Sequence, residues 1–223
     1  MRISHGTRIR AWHTNNGYGY ATDHMLSSLG RLGYEVRQND PDADVQIWFD
    51  QPHHWKWNEG QYRIGYHPWE STDMRKDWKD AMNQCDEVWT PSPYVAEWYK
   101  ECGITRPVHV YEHGVDHKTW IPKKRTANDK MRFLHVGGEA ARKGADIALD
   151  AFRIAFPNQD DVELTLKMNQ SGWNIPKVGK VSILPNIMPL GELVELYHDH
   201  HVFVYPSWGE GFGLNPLQAM ATG

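Results

Sequence analysis

No run of about 18 consecutive apolar residues occurs anywhere in the 223-residue chain, so nothing in it reads as a membrane-spanning helix. The first stretch, MRISHGTRIRAW, carries charge but lacks the apolar middle of a secretory leader. Cysteine is nearly absent as well. The only two, Cys85 and Cys102, have no CxxC spacing, which excludes a disulfide framework and predicts a soluble protein of a reducing, cytoplasmic compartment. There is no basic excess: 24 Lys and Arg stand against 28 Asp and Glu, for a net charge of −4. A generic binder of nucleic acid would need a basic face to displace counterions from phosphates, and only a local basic groove stays open. Metal-ligand motifs are equally thin. HDHH (His198–His201) and the pair His53–His54 offer imidazoles, but HDHH closes a helix, where cationic side chains suit the local dipole. DAD (Asp42–Asp44) sits in a proline-bearing turn, which needs no metal. No metal is expected.

Tryptophan, by contrast, is abundant, with 11 copies, and Trp48, Trp55, Trp57, Trp69, Trp78, Trp89 and Trp98 all lie in the first half. Most of them read as an aromatic core. The segment PHHWKW (Pro52–Trp57) reads as a surface loop whose indoles could wall an acceptor. Strand-length apolar runs alternate with helix-period segments almost throughout, the pattern of parallel sheets with crossover helices. TRIRAW (7–12) reads as the first strand, HTNNGYGY as a loop and 21–34 as a helix closing near Gly33. EVRQ, ADVQIWF, QYRIGYH, EVWTPS and PVHVYEHGV read as further strands. IPKKRTANDK (121–130) interrupts the alternation with linker composition. It then resumes with MRFLHVGG, VELTLKM, VSILP and HVFVYPS as strands. Two doubly wound α/β domains are expected, at 1–120 and 131–223, joined by residues 121–130, with a cleft between them.

The last 19 residues, YPSWGEGFGLNPLQAMATG, carry the chemistry. A strand ends, a loop bearing Gly209, Gly211 and Gly213 follows, and a helix begins near Asn215, read as its N-cap with Pro216 at the first helical position. Glycines let backbone N–H groups approach a ligand, and the helix start favours negative charge. A diphosphate fits such a turn. Glu210 would repel it, unless the carboxylate grips hydroxyls or steadies positive charge on a neighbouring sugar carbon. A nucleotide-sugar meets both conditions.

These residues resemble a known family. EGFGLNPLQAMATG (Glu210–Gly223) is similar to the E-x7-E signature of family 4 glycosyltransferases, retaining enzymes of the GT-B fold. HVGGEAARKGADIALDAF (135–152), VHVYEHGVDHKTWIP (108–122), DEVWTPSPYV (86–95) and RLGYEV resemble further family segments in the same order. The resemblance implies two Rossmann-like domains and transfer of a sugar from a UDP- or GDP-sugar to an acceptor that the sequence does not identify. Protein, glycan, lipid-linked and small-molecule acceptors stay open, with nucleic acid disfavoured by the acidic balance. No cofactor is implied. Glu210 would contact the donor sugar. The backbone of Phe212, Gly213 and Leu214 would line sugar and phosphate. Lys143, aided by Arg142, would neutralise the departing diphosphate. Gly17 and Gly19 would form the loop near donor and acceptor, and His67 would stand near the sugar.

The departures from the family are specific. Gln218 replaces the second glutamate of the signature, which in the family holds ribose hydroxyls; an amide binds a diol less strongly than a carboxylate. Gln218 also stands three residues beyond Asn215, as a capping-box partner would, and both readings are open. Gly138 stands where many members have arginine. The family's further α/β units after the signature helix are not present up to Gly223, so a truncated form is expected. The alternative function is a non-catalytic nucleotide-sugar or glycan-binding module that needs a partner or the missing segment. A nucleotide-sugar epimerase is the weakest reading, because such enzymes lack E-x7-E together with RKG.

Overall fold

A computed structural model describes residues 1–6, 17–125, 130–138, 140–168 and 180–223. It divides into two units, Met1–His113 with Glu210–Phe212, and Gly114–Gly209 with Gly213–Gly223.

In the first unit, β1 (Arg2–Gly6), β2 (Glu35–Gln38), β3 (Val45–Phe49), β4 (Tyr62–Tyr66), β5 (Glu87–Thr90) and β6 (Val108–Val110) form one parallel sheet in the order β2-β1-β3-β4-β5-β6. Its helices are α1 (Gly17–Arg31), α2 (Lys76–Met82) and α3 (Pro93–Glu101). The run VQIWF of β3 is buried on both faces because a parallel sheet is covered on both sides. One side is covered by α1, whose Met25 and Leu29, one turn apart, pack on Ile3, Ile47 and Ile64. On another, Trp48, Trp55, Met82, Val88, Val95, Trp98 and Tyr99 form the core. Pro93 opens α3 behind Ser92, as its fixed φ favours.

The strand expected at 7–12 lies outside the described residues, and the polar-looking RISHG before it is β1. It pairs with β2 and β3, and its Ser4 is fully buried with the hydroxyl accepting from Asp40 N–H at 3.0 Å. A hydroxyl satisfied only by tertiary contact leaves no apolar signal in the sequence. PHHWKW lies at the surface only in part, with His53 and Lys56 exposed and His54 and Trp57 half-buried. Trp55 is buried and donates its indole N–H to Asp50 O at 3.0 Å. Gly65 of β4 makes room for it, since a Cβ there would stand 2.2 Å from the ring. The two cysteines are free, and burial pushes the Cys85 thiol up to about 12.

In the second unit, β7 (Met131–Val136), β8 (Val162–Lys167), β9 (Val181–Leu184) and β10 (Val202–Phe203) form a parallel sheet ordered β10-β7-β8-β9. Its helices are α4 (Ala140–Lys143), α5 (Ala145–Ala155), α6 (Leu190–His198) and α7 (Leu214–Ala221). Ala145, Ala148, Leu149 and Phe152 repeat at helical spacing along α5 and are buried, with Val162, Leu164 and Leu166 of β8 in the same cluster. Each buried Leu or Phe contributes about 2 kcal/mol of transfer free energy. The opposite face carries Trp120, Leu134, Val136, Val194 and Tyr197. Residues 121–125 are packed within this unit: Arg125 donates to the carbonyls of His200 and Tyr197, and Ile121 O lies 2.9 Å from His198 Nε2. The HDHH imidazoles have local partners too, His200 with Thr165 Oγ1 at 2.8 Å and His201 with the Arg132 N–H at 3.1 Å.

Two imidazoles of the first unit are held neutral by burial. His67 is pushed down to about 3 by desolvation, with His53 nearby adding to the effect and the Asp50 backbone opposing it. His113 falls to about 4 for the same first reason. An unfolded histidine titrates near 6.5, so between there and these folded values the unfolded chain binds more protons and folding weakens as pH falls. The expected loss is at most about 1.4 kcal/mol per pH unit for each imidazole. Urea midpoints should therefore fall from pH 6.5 to pH 4.5, and His113→Asn should make that fall shallower; parallel curves would show that His113 is not a buried neutral group.

Candidate active site

In an open parallel sheet, ligands sit at the carboxyl ends of strands where the winding reverses. In the second sheet the reversal falls between β7 and β10, because β8 and β9 extend to one side of β7 and β10 lies on the other. The segments that leave these two strands, 137–144 and 204–213, are those the sequence singled out.

They are clasped together. Gly144 turns the chain from α4 into α5 with φ +72°, and a Cβ there would lie 2.1 Å from the carbonyl oxygen of Pro206. Only glycine meets both demands. Around that contact the Trp208 N–H donates to Arg142 O at 3.0 Å, Ser207 Oγ donates to the same oxygen at 3.3 Å, and Arg142 Nη1 donates to Gly209 O at 3.0 Å. Arg142 thus works on the loop backbone as well as carrying charge. Lys143 follows it, with Nζ 5.6 Å from the centroid of the Tyr205 ring.

The start of α7 differs from the sequence reading. The helix begins at Leu214 behind Gly213, whose φ is +91° and which provides no side-chain cap. Asn215 is therefore inside the first turn, and its amide instead donates to Val136 O at 2.8 Å, tying the helix start to the end of β7. Pro216 is consequently the third helical residue, so the pairing of Asn215 and Gln218 as a capping box does not occur. A backbone carbonyl that needed a donor took the Asn215 side chain, and spacing alone could not reveal it. The opening turn of α7 has no acidic residue, which suits an anion. Gln218 is buried one turn further on.

In the first unit, Gly17 and Gly19 both lie within α1, so these glycines belong to a helix rather than to the expected loop. Tyr18 between them brings its hydroxyl to 3.2 Å from His67 Nδ1. His67 follows β4 directly and is 1 % exposed, with the edge of its ring system against Trp78 at 5.0 Å. Its carbonyl accepts from Tyr99 Oη at 2.9 Å. Residues Glu210–Phe212 group with this unit; Phe212 meets His113 edge-on at 5.1 Å. Glu210 itself is half-buried. Within the first unit the structure joins the Gly17–Gly19 turn to His67, and within the second it joins Arg142, Lys143 and the start of α7 to the ends of β7 and β10. The sequence missed Tyr18, His135, Tyr205 and the role of Asn215, none of which has a local signature. Among the described residues no cluster of three or more His, Cys, Asp or Glu is arranged to hold a metal ion.

Comparison with known proteins follows the same lines. A family model described as glycosyl transferases group 1 matches residues 130–223. The lipopolysaccharide core biosynthesis mannosyltransferase LpsB of Rhizobium meliloti (strain 1021) is 29 % identical over a match that covers 52 % of this chain and 39 % of that protein. The chain therefore spans well under two thirds of this curated relative. Among solved structures, a sucrose-phosphate synthase from Thermosynechococcus elongatus superposes with TM-score 0.76 at 14 % identity, over 100 % of this chain and 79 % of that one. WaaG, a glycosyltransferase involved in lipopolysaccharide biosynthesis, superposes with TM-score 0.69 at 10 % identity, over 99 % and 79 %. At these identities the likeness is one of fold, and the fold is GT-B.

Replacing Gly144 by alanine should cost about 2 kcal/mol or more from the left-handed backbone, before the clash with Pro206 is counted. A thermal midpoint lower by roughly 5 °C is expected; an unchanged midpoint would mean that the α4–α5 turn does not hold the loop after β10 in this way.

Proposed function

We propose that this chain, whose residues 130–223 belong to the glycosyl transferases group 1 family, transfers a sugar from a nucleoside diphosphate to an acceptor with retention at the anomeric carbon. One observation carries the reading. A cationic side chain, a glycine-ended strand and a helix start without an acidic residue share the carboxyl end of β7, the place where an α/β sheet receives phosphate. The family match and the mannosyltransferase relative support it.

In this reaction the bond between the anomeric carbon and the diphosphate oxygen breaks first. The leaving diphosphate gathers charge, which Lys143 and the amides opening α7 stabilise, with Arg142 assisting. The acceptor oxygen attacks the same face of the sugar, and its proton passes to the departing phosphate oxygen. Attack on the face just vacated gives retention. Glu210 orients the sugar hydroxyls, and His67, a neutral imidazole pinned beside Tyr18, offers a hydrogen bond near the sugar without adding charge. The backbone of Phe212, Gly213 and Leu214 lines sugar and phosphate, and Gly17 and Gly19 keep the first turn of α1 open to the ligand. Gln218 contacts the ribose with an amide in place of a carboxylate. No metal takes part. The protein acts in the cytoplasm. No helix among the described residues is long and apolar enough to cross a membrane.

Incubation with a panel of UDP- and GDP-sugars, with product mass spectrometry, identifies donor and acceptor class together. Lys143→Ala and Glu210→Ala should each lower transfer at least about tenfold while circular dichroism stays unchanged. Tight binding of a nucleotide-sugar by calorimetry with no transfer from any donor would instead favour a non-catalytic binding module, the reading that Gln218 in place of glutamate supports. Equal transfer by wild type and both variants would remove these residues from the mechanism.

A further inference from the structure

A lysine that must meet a developing phosphate charge has four rotatable bonds to restrain, and disorder of that stem weakens whatever it binds. Lys143 is restrained from two sides. Its stem crosses Gly137 so closely that a Cβ added there would stand 2.7 Å from Lys143 Cβ and 3.0 Å from its Cγ. Its ammonium lies over Tyr205, 5.6 Å from the ring centroid, within the range at which an aromatic face attracts a cation.

The Tyr205 ring is itself fixed. It stacks on His135, with centroids 5.8 Å apart and planes 23° apart, and on Phe203 at 5.5 Å and 19°. His135 is fully buried, and its Nδ1 stands 3.0 Å from Val204 O, which requires the proton on Nδ1 and leaves Nε2 a lone pair. That Nε2 has no partner among the described residues and lies 3.0 Å from where a Cβ of residue 137 would be, on the side that the Lys143 stem crosses. Burial, joined by the nearby Lys143 charge, holds the imidazole below its usual range, against the pull of the Val204 carbonyl. A charged ring here would repel the ammonium; the neutral one does not.

We propose that Tyr205, backed by His135, is a positioning residue: its ring face seats the Lys143 ammonium where the leaving diphosphate is received. The proposal rests on the function proposed above. Loosening the seat should weaken binding of the diphosphate product and lower the turnover number, and leave KM for the acceptor unchanged.

The test uses the whole chain with lysine labelled at 13Cε, and UDP and GDP as probes. In the wild type one lysine methylene resonance, absent from Lys143→Met, should lie upfield of the other lysines because of the ring current. It should stay there in Tyr205→Phe and return to the common position in Tyr205→Leu, with Tyr205→Met as a second aliphatic replacement if that variant folds poorly. Calorimetric Kd values should rise about fivefold in Tyr205→Leu, stay near wild type in Tyr205→Phe, and show no further rise when Tyr205→Leu is added to Lys143→Met. An unshifted wild-type resonance, or additive losses in the double variant, overturns the seat and leaves the proposed function standing. Wild-type protein that binds neither UDP nor GDP overturns the function and the seat's role with it.

Discussion

The contact between Gly144 and the carbonyl of Pro206 is the constraint on which the arrangement of the second unit's turns depends. It brings two chain segments more than 60 residues apart to van der Waals range, and no side chain fits between them. Once they meet, the Arg142 carbonyl takes two hydrogen bonds from the loop after β10, and the Arg142 guanidinium returns one to Gly209. Neither segment could hold its form alone. α4 has four residues, too few for an independent helix, and the glycine-rich loop has little intrinsic preference of its own. Their mutual hydrogen bonds stand in for regular structure. That is why a mobile-looking sequence can still present a cation and a helix start in a defined arrangement.

The same logic governs the placement of charge. At the end of β7 the protein sets cations beside backbone dipoles and keeps carboxylates out of the first turn of α7. The groups around Lys143 include a glycine, a neutral imidazole and an aromatic face that attracts the ammonium. His67, in the first unit, follows a related rule. Burial favours its uncharged form. Two buried imidazoles in the first unit thereby couple its stability to pH, a cost that follows from using histidine inside an aromatic core.

The aromatic content resolves into packing more than recognition. Seven tryptophans of the first half were candidates for core or for ligand wall; Trp48, Trp55, Trp78 and Trp98 are buried, and Trp55 in particular is seated against a strand glycine. An indole N–H needs an acceptor when buried, and Trp48 and Trp55 both find backbone carbonyls nearby. Within PHHWKW, Trp55 is thus drawn inward by a hydrogen bond that no pattern of residues announces, while His53 and Lys56 stay exposed.

By itself the sequence determined the class of fold, because alternating strand and helix periods leave a wound parallel sheet as the economical arrangement. It also singled out the turns after β7 and β10 as the candidate phosphate site, since glycines, Lys143 and a helix opening stand at spacings that a strand-turn-helix can use. Tertiary structure alone decided that RISHG is a strand, that Asn215 grips β7 instead of capping its helix, that Gly17 and Gly19 lie within α1, and that Tyr205 faces Lys143. Each of these depends on a partner distant in the chain satisfying a polar group or filling a space. Local propensity is weak beside such contacts, which are worth a kcal/mol or so each, and the sequence reveals them only after the chain has folded.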